Sequence, residues 1–429
     1  MYKQHLKRSS RTILSPRRIR LRTVFWGGAL LIGITAALFA LMSQFSDEFF
    51  SHLYHTQPLI AYALPPFGFA LIVWLTRKFF KGSEGSGIPQ AIAALSMHQQ
   101  VSQASVLSLK VALGKILLTC LGLLSGGSIG REGPTVHVGA SIMYSLRHIA
   151  PFRGKDMTRG LILAGGAAGI SAAFNTPLAG IMFAIEEMGR SFDHKSSGRL
   201  IIAVVLAGIT ALMILGDYTY FGLSTATLPL SSAWLAVLIC GVVGGLLGGL
   251  FSTLLISGTR HLAPISFRHP VMLAFSCGVI VSLLGFAADG QTYGSGYEAA
   301  KHLVDGGEAD IFFPVLKLLA TVASYLSGIP GGIFAPSLSV GAGLGADLAL
   351  LMPDTPASAL IMLGMVGYFT GVVQTPITAF IIVMEMNADS SMLLPLMATA
   401  LIARAISHLV CPVPIYQALA EAYLNKHKD

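Results

Sequence analysis

The sequence predicts an all-α polytopic membrane protein made of two related halves that contain broken half-helices. Only 11% of its 429 residues are charged, against roughly 25% in soluble domains, and the mean hydropathy is +0.71. Apolar runs such as Trp26 to Met42 and Leu235 to Ile256 approach the roughly 20 residues that span a bilayer. Such runs follow one another almost to the end of the chain, so we expect a single membrane domain over residues 24–429.

Basic residues are concentrated before the first apolar run. The chain carries 28 Lys and Arg against 20 Asp and Glu, a net charge of +8. A nucleic-acid-binding arm is one interpretation of residues 1–23. Anchoring on the cytoplasmic side explains them better, because the basic run adjoins the first span. The basic residues of this segment are Lys3, Lys7, Arg8, Arg11, Arg17, Arg18, Arg20 and Arg22.

The charges of the following loops favour the same orientation. Asp47 and Glu48 are assigned to the loop after the first span, and Arg77, Lys78 and Lys81 to the next one. This alternation predicts a cytoplasmic N-terminus. No convincing cleavage site follows the first apolar run, which is therefore interpreted as a retained span.

Gly and Pro interrupt many hydrophobic segments, and the interruptions recur in the same order in both halves, about 24–225 and 226–425. The spacing between the copies is nearly constant, which indicates duplication, although it leaves parallel and inverted arrangements open. Inverted repeats with broken helices are one recurring transporter plan. The paired segments are Ser125–Ala140 with Ser327–Ala342, Thr176-Pro177 and Glu186 with Thr375-Pro376 and Glu385, and Gly85–Gly87 with Gly294–Gly296.

Three glycine-rich motifs predict helix N-termini inside the membrane: GSGIP at 85–89, GREGP at 130–134 and GIFAP at 332–336. A helix N-terminus presents free N–H donors and the positive end of the dipole. Several that converge would bind an anion without a fixed positive charge, which suits a permeant ion. Glu132 is an ionisable group within this apolar sequence and therefore a candidate functional residue.

In these three motifs, in their order and in its duplicated halves, the chain resembles the CLC chloride channels and transporters, over about residues 24 to 425. The resemblance implies an all-helical fold of inverted-topology repeats, a homodimer and one anion pathway in each subunit. Without the resemblance, the glycine motifs are also consistent with simple helix-packing contacts.

The resemblance assigns the anion ligands residue by residue. Ser86 matches the serine that coordinates the central anion, and the backbone amides of Ile333 and Phe334 match the central donors. Tyr416 matches the tyrosine whose hydroxyl closes the inner side. Its alternative interpretation is a tyrosine at the membrane interface.

The resemblance also assigns the outer site and the proton path. Backbone amides from Arg131 to Gly133 match the outer anion ligands, while the Arg131 side chain is interpreted as structural. Glu132 matches the gating glutamate, which competes with anion for the outer site. Glu187 matches the inner proton-transfer glutamate of the exchangers, with a structural acid at a dimer contact as the alternative. Glu186 is interpreted as structural, like Glu385.

Other functional classes are disfavoured. Gly126–Gly130 fits the G-x-S-x-G pattern of hydrolases, but no preceding strand and no Asp or His partner is apparent. The four cysteines are isolated and the histidines are scattered, so neither a metal site nor a cofactor is expected. No Walker-type motif occurs, and the chain is not expected to be an enzyme.

The resemblance and both glutamates together predict chloride/proton antiport, with chloride, protons and membrane lipid as partners and no nucleic acid. The alternatives are a CLC chloride channel without strict coupling and a fluoride/proton exchanger, which Ser86 and Tyr416 disfavour by family analogy. The chain ends soon after Tyr416, which suggests a short bacterial inner-membrane member with both termini cytoplasmic. By the same analogy, an electrical shunt in acid resistance is the expected role.

Overall fold

The computed structural model describes residues 16–97, 99–149, 155–189, 194–216, 228, 234–308, 310–387 and 391–425. Within these ranges all extended regular structure is helical, and the strand-like pairings are two isolated β-bridges, Gly85–Pro330 and Gly130–Gly332. Residues 1–15 of the basic segment and the expected boundary near residue 225 lie outside the described ranges.

The first half consists of long helices alternating with short ones, and two of the short segments depart from α geometry. A 3₁₀ turn covers Leu146–His148 and a π-helix covers Ala184–Gly189. The α-helices are α1 (Pro16–Thr56), α2 (Pro58–Phe79), α3 (Ile88–Ser96), α4 (Gln100–Val106), α5 (Leu109–Leu124), α6 (Glu132–Ser145), α7 (Lys155–Phe174), α8 (Pro177–Phe183) and α9 (His194–Leu215).

The second half follows the same order, with one helix, α12, where the first half has α3 and α4. It ends on an additional helix that packs against α3 of the first half. The helices are α10 (Trp234–Arg268), α11 (Pro270–Ala287), α12 (Tyr297–Val304), α13 (Phe313–Leu326), α14 (Phe334–Leu351), α15 (Ala357–Val373), α16 (Pro376–Met386), α17 (Leu393–Val410) and α18 (Ile415–Asn425).

Among the described residues, nine helices are long and apolar enough to cross a membrane. Their outward faces carry large apolar side chains, for example Leu283 and Phe286 of α11, which are 63% and 69% exposed. In water such a surface would be costly, whereas in a bilayer it contacts lipid. Most residues of the short helix α3 are instead buried, which is the setting in which broken segments are tolerated at membrane depth.

Helix α1 differs from the sequence prediction. Asp47 and Glu48, expected in a loop, lie within it, because its 41 residues continue to Thr56. At 1.5 Å per residue it is about 60 Å long, well beyond the roughly 30 Å hydrocarbon core. The loop prediction was wrong because two acids do not end a helix that lacks Pro or Gly near them. Residues 16–23 of the expected N-terminal segment also belong to α1.

Equivalent helices of the two halves contact each other in pairs. Helix α2 packs on α11, α6 meets α14, and α8 packs on α16. Two close crossings within the halves are also equivalent, at Gly139 with Gly165 and at Gly341 with Gly364, where an added Cβ would collide with the opposite backbone. Such reciprocal contacts between equivalent segments are those expected from a two-fold axis.

Candidate anion site

Three helix N-termini converge between the halves. Helices α3, α6 and α14 begin immediately within the motifs GSGIP, GREGP and GIFAP. In the first motif Gly85 and Gly87 have φ of +63° and +100°, a region that residues with a Cβ rarely adopt. Pro89 follows in the first turn of α3, where the lack of an N–H costs nothing. The sequence thus turns sharply into each helix and directs its free N–H groups to a common point.

Backbone hydrogen bonds hold the three turns together. Gly130 N donates to Gly332 O at 2.7 Å, and Gly332 N donates to Gly130 O at 2.7 Å. Gly331 N donates to Gly85 O at 3.1 Å. The motifs, far apart in sequence, therefore form one connected backbone unit at the centre of the protein.

Gly133 has no room for a side chain. An added Cβ would contact Ser86 Oγ, and would lie 3.0 Å from Ser86 O and 3.4 Å from Gly332 Cα. The three motifs meet at this residue. Glycine is required here because the first turn of α6 approaches the other two turns at backbone distance.

Two buried hydroxyl groups face the same point. Ser86 is 1% exposed and Tyr416, in α18, is 0% exposed. Their oxygens approach each other, but neither oxygen has a hydrogen-bond partner of acceptable geometry among the described residues. Buried hydroxyls normally have one. Two orphaned donors beside three helix N-termini fit a small anion, and no fixed Lys or Arg is needed to hold it.

Aromatic side chains enclose this point. The ring of Phe334 stacks on Tyr416, with centroids 5.9 Å apart and planes at 21°. It also packs edge-on against Phe369 at 4.7 Å. Phe334 and Ile333 are each 1% exposed. The side chains at the start of α14 thus form an apolar wall, while the backbone N–H groups remain the polar part of that turn.

Glu132 lies at the first position of α6 and is 0% exposed. With Arg131 it also lines a cavity of about 1150 Å³, which we name the outer cavity after the expected orientation of the chain. The Ser86 and Tyr416 side chains do not line that cavity. Glu132 therefore stands between the cavity and the two hydroxyls, at a helix end that favours negative charge.

Glu187 lies on the π-helix Ala184–Gly189 and is 2% exposed. The Tyr416 hydroxyl is within electrostatic reach of both Glu187 and Glu132. Single-turn π segments are frequent at functional sites because the wider turn redirects a side chain. Sequence periodicity did not indicate this local geometry.

Glu186, its neighbour, has a structural contact. Its carboxylate accepts from Ile377 N at 3.2 Å, and from Thr378 N and Oγ1 at 2.7 and 2.8 Å, at the start of α16. In the other direction, Glu385 accepts from Leu178 N at 3.1 Å and Ala179 N at 2.8 Å, at the start of α8. Each half thus caps a helix of the other, consistent with the structural interpretation of both acids.

Lys115 is a contributor that the sequence analysis missed. It is 0% exposed within α5, and its Nζ donates to Glu84 O at 3.1 Å and Gly85 O at 2.8 Å. Lysine thus holds the carbonyl side of the GSGIP turn, so that the N–H side faces the anion position. The sequence could have indicated Lys115, because an ionisable residue within an apolar run is a candidate functional residue.

His137 was also missed. It is 0% exposed and packs on Gly87, and its Nε2 bonds to Val106 O at 2.7 Å. It therefore connects the first two motifs to α4, and no feature of the scattered histidines would have identified it.

The serine of the hydrolase pattern contacts two hydroxyl groups. Ser128 Oγ contacts Thr321 Oγ1 at 2.9 Å, and Ser128 N donates to Ser324 Oγ at 3.0 Å. Neither of these two partners is a general base of the kind that activates a serine nucleophile. In the described ranges no cluster of three His, Cys, Asp or Glu side chains suitable for a metal ion occurs.

Comparison with known proteins agrees with this geometry. A family model described as voltage gated chloride channel matches residues 68–408. A solved structure of a slow cyanobacterial Cl⁻/H⁺ antiporter is 27% identical, with a TM-score of 0.82 over 97% of this chain and 100% of that chain. A CLC-type fluoride/proton antiporter is 25% identical, with a TM-score of 0.78 over 94% and 98%.

A eukaryotic CLC transporter, 19% identical with a TM-score of 0.78, covers 94% of this chain and 74% of its own, and shares the fold. The comparisons confirm the predicted fold class, an all-α polytopic membrane protein of two inverted-topology repeats with broken half-helices. The family model covers most of the chain, and the protein is therefore a member of the CLC family of membrane transport proteins.

Proposed function

We propose that the protein exchanges chloride for protons across a bacterial inner membrane. The observation that carries the proposal is the position of Tyr416 within electrostatic reach of two buried acids, Glu132 and Glu187. Coupling requires an acid on each side of the anion site, because protons must reach the gate from the side opposite to the outer cavity. A channel would need the outer gate alone.

The anion is held by hydrogen bonds and dipoles. At the central position, Ser86 and Tyr416 supply hydroxyls, and Ile333 and Phe334 supply backbone N–H groups. At the outer position, the ligands are the backbone N–H groups from Arg131 to Gly133. Because these partial charges attract without a full positive charge, they stabilise chloride and still release it. The orphaned hydroxyls favour chloride as the substrate, and they match the residues by which the chain resembles chloride-type members.

The proposed gate is the carboxylate of Glu132, which competes with chloride. In its charged form, the Glu132 carboxylate takes the outer anion position at the N-terminus of α6. When it takes up a proton, its attraction to that helix end falls, and chloride replaces it. Glu187 delivers the proton from the inner side, and the Tyr416 region separates the two routes.

Family membership supports a proposal for the assembly and the orientation. We propose a homodimer with both termini cytoplasmic and lipid around the apolar outer face. An electrical shunt that supports acid resistance is the proposed role. These points depend on the resemblance and on the charge distribution along the chain.

The test is the reversal potential of purified protein in liposomes under opposed chloride and pH gradients. For an exchanger, the potential depends on both gradients. If the potential follows the chloride gradient alone, the protein is a channel and the proposal fails. Replacing chloride with fluoride at the same concentrations tests the remaining alternative, since a fluoride exchanger would couple protons to fluoride and leave chloride inert.

A further inference from the structure

The Gly-Ser-Gly turn of the first half has a complete counterpart in the second half. Gly294 and Gly296 have φ of +66° and +78°, like the paired glycines of the GSGIP turn. Helix α12 begins directly after Gly296. The buried Lys317 donates from Nζ to Thr292 O and Gly294 O, both at 2.9 Å. Lysine holds the carbonyl side of this turn too, while on the N–H side Tyr297 N donates to Ser295 Oγ at 3.4 Å.

An anionic group already occupies that position. Asp47 Oδ2 accepts from Ser295 Oγ at 2.7 Å and from Ser295 N at 3.3 Å. Asp47 Oδ1 is buried without a hydrogen-bond partner in the described part of the chain, and it lies 2.7 Å from where a Cβ on Gly294 would stand. Lys317 and Arg131 both attract this carboxylate. The turn therefore binds negative charge with a serine hydroxyl and a backbone N–H.

Two further buried hydroxyl groups belong to residues near the turn. Ser339 and Thr292 are both 0% exposed, and neither hydroxyl oxygen makes a hydrogen bond to the described residues. Ser339 Oγ faces Gly296, at 2.6 Å from the position of an added Cβ. This serine of α14 takes the place that His137 of α6 has beside the first turn. The site thus has buried donors beyond the two that Asp47 uses.

The turn is reachable from the outer cavity. Asp47, Gly294, Ser295 and Gly296 line the same cavity as Glu132. An ion that enters the cavity meets the second turn without crossing the Glu132 gate.

We propose that the Gly294–Tyr297 turn is a second site for small monovalent anions, and that Asp47 is its resident anion. The Asp47 carboxylate keeps halide out of this position. Without it, the donors of Ser295 and the N-terminus of α12 bind halide from the outer cavity. The inference does not depend on the transported ion or on proton coupling, so it can fail or hold independently of the proposed exchange.

The test uses bromide, whose anomalous scattering identifies it in crystals. We expect crystals of Asp47→Ala grown in bromide to show a peak within hydrogen-bond distance of Ser295 N and Oγ, and wild-type crystals to show none there. Glu48→Ala is the matched control, because Glu48 lines the same cavity but is bonded by Gln44 Nε2 at 2.8 Å and not by the turn. No peak is expected at the turn in that variant.

A second measurement supports the assignment in solution. Calorimetric titration should give one more bromide per chain in Asp47→Ala than in wild type, and the added Ser295→Ala substitution should abolish it. Asp47→Asn keeps the side-chain volume and serves if the alanine variant does not fold. Its neutral amide is a weaker acceptor, so bromide should displace it at higher concentration.

Two results would overturn the inference. The first is the absence of bromide at the turn in crystals of both Asp47 variants grown in bromide. The second is a peak of equal height at the turn in Glu48→Ala, which would assign the effect to cavity charge in general.

Discussion

The two halves of the protein share their scaffold and differ in their chemistry. Lys115 and Lys317 hold equivalent turns, and Glu186 and Glu385 cap equivalent helices. The two acids proposed for proton transfer have no such equivalence: Phe334 stands where the first half has Glu132, and Met386 where it has Glu187. Duplication thus explains the packing, whereas the proposed proton transfer uses positions at which the copies have diverged.

The largest expected effect comes from replacing Glu132, the proposed gate. The first half then lacks an acid at this position, as the second half does. Glu132→Ala should give anion flux that does not depend on pH and carries no protons, because no tethered carboxylate competes at the outer site. Chloride efflux and proton uptake from liposomes measure both quantities. Glu48→Ala, another acid of the outer cavity, should retain coupling.

Glu187 also lacks an acidic counterpart in the second half, and we expect it to be required for proton flux but not for chloride flux. Glu187→Gln preserves size and hydrogen bonding but cannot release a proton. We expect chloride flux to persist while uphill proton pumping driven by a chloride gradient disappears. Pumping at the wild-type coupling ratio would make Glu187 structural and direct the protons along another route.

Gly133 and its counterpart Ala335 test how closely the motifs must approach. Gly133→Ala adds a methyl that meets Ser86 Oγ. Overpacking costs about 1–3 kcal/mol, so chloride affinity should fall roughly 5- to 150-fold if that cost acts on the bound state. Ala335→Gly, which makes the second half resemble the first, removes a methyl and should leave affinity near wild type. Calorimetric titration of both variants measures the contrast, and equal losses would contradict it.

The reciprocal caps should differ slightly in strength. The Glu186 carboxylate accepts three hydrogen bonds, since Thr378 adds its hydroxyl, and that of Glu385 accepts two. Replacing either acid with Ala should cost on the order of 1–2 kcal/mol, with the larger loss for Glu186→Ala. Thermal unfolding in detergent ranks the two variants. Thr378→Val should bring the two losses together, and a reversed ranking would contradict the cap assignment.

The smallest effects are expected at the hydroxyls of the anion site. Each neutral hydrogen bond contributes roughly 0.5–1.5 kcal/mol, so Ser86→Ala and Tyr416→Phe should each weaken chloride binding several-fold. Backbone N–H groups remain, and binding should persist. Thr292→Val removes a buried hydroxyl beside the second turn and should leave the affinity unchanged. If both Ser86→Ala and Tyr416→Phe bind chloride with wild-type affinity, the central anion site lies elsewhere in the protein.

The starts of α3, α6 and α14 could be predicted from the sequence because glycine and proline act on their own backbone. Local chemistry also identified Glu132 as a candidate, whereas Ser86 and Phe334 were assigned to the central anion by the resemblance to the CLC family. Asp47 could not be assigned to the second turn, since its contact with Ser295 joins segments distant in sequence. Nor could the π geometry around Glu187, because an insertion in the helical ladder has no residue signature.

The paired hydrogen bonds between Gly130 and Gly332 limit how the molecule can move. Many transporters with inverted repeats work by rocking one repeat against the other. Here such rocking would pull apart two 2.7 Å bonds at the point where the halves meet, and the four exposed backbone groups would have no water to replace their partners. These bonds favour a fixed backbone at this point, so the proposed exchange would rely on rotation of side chains such as that of Glu132.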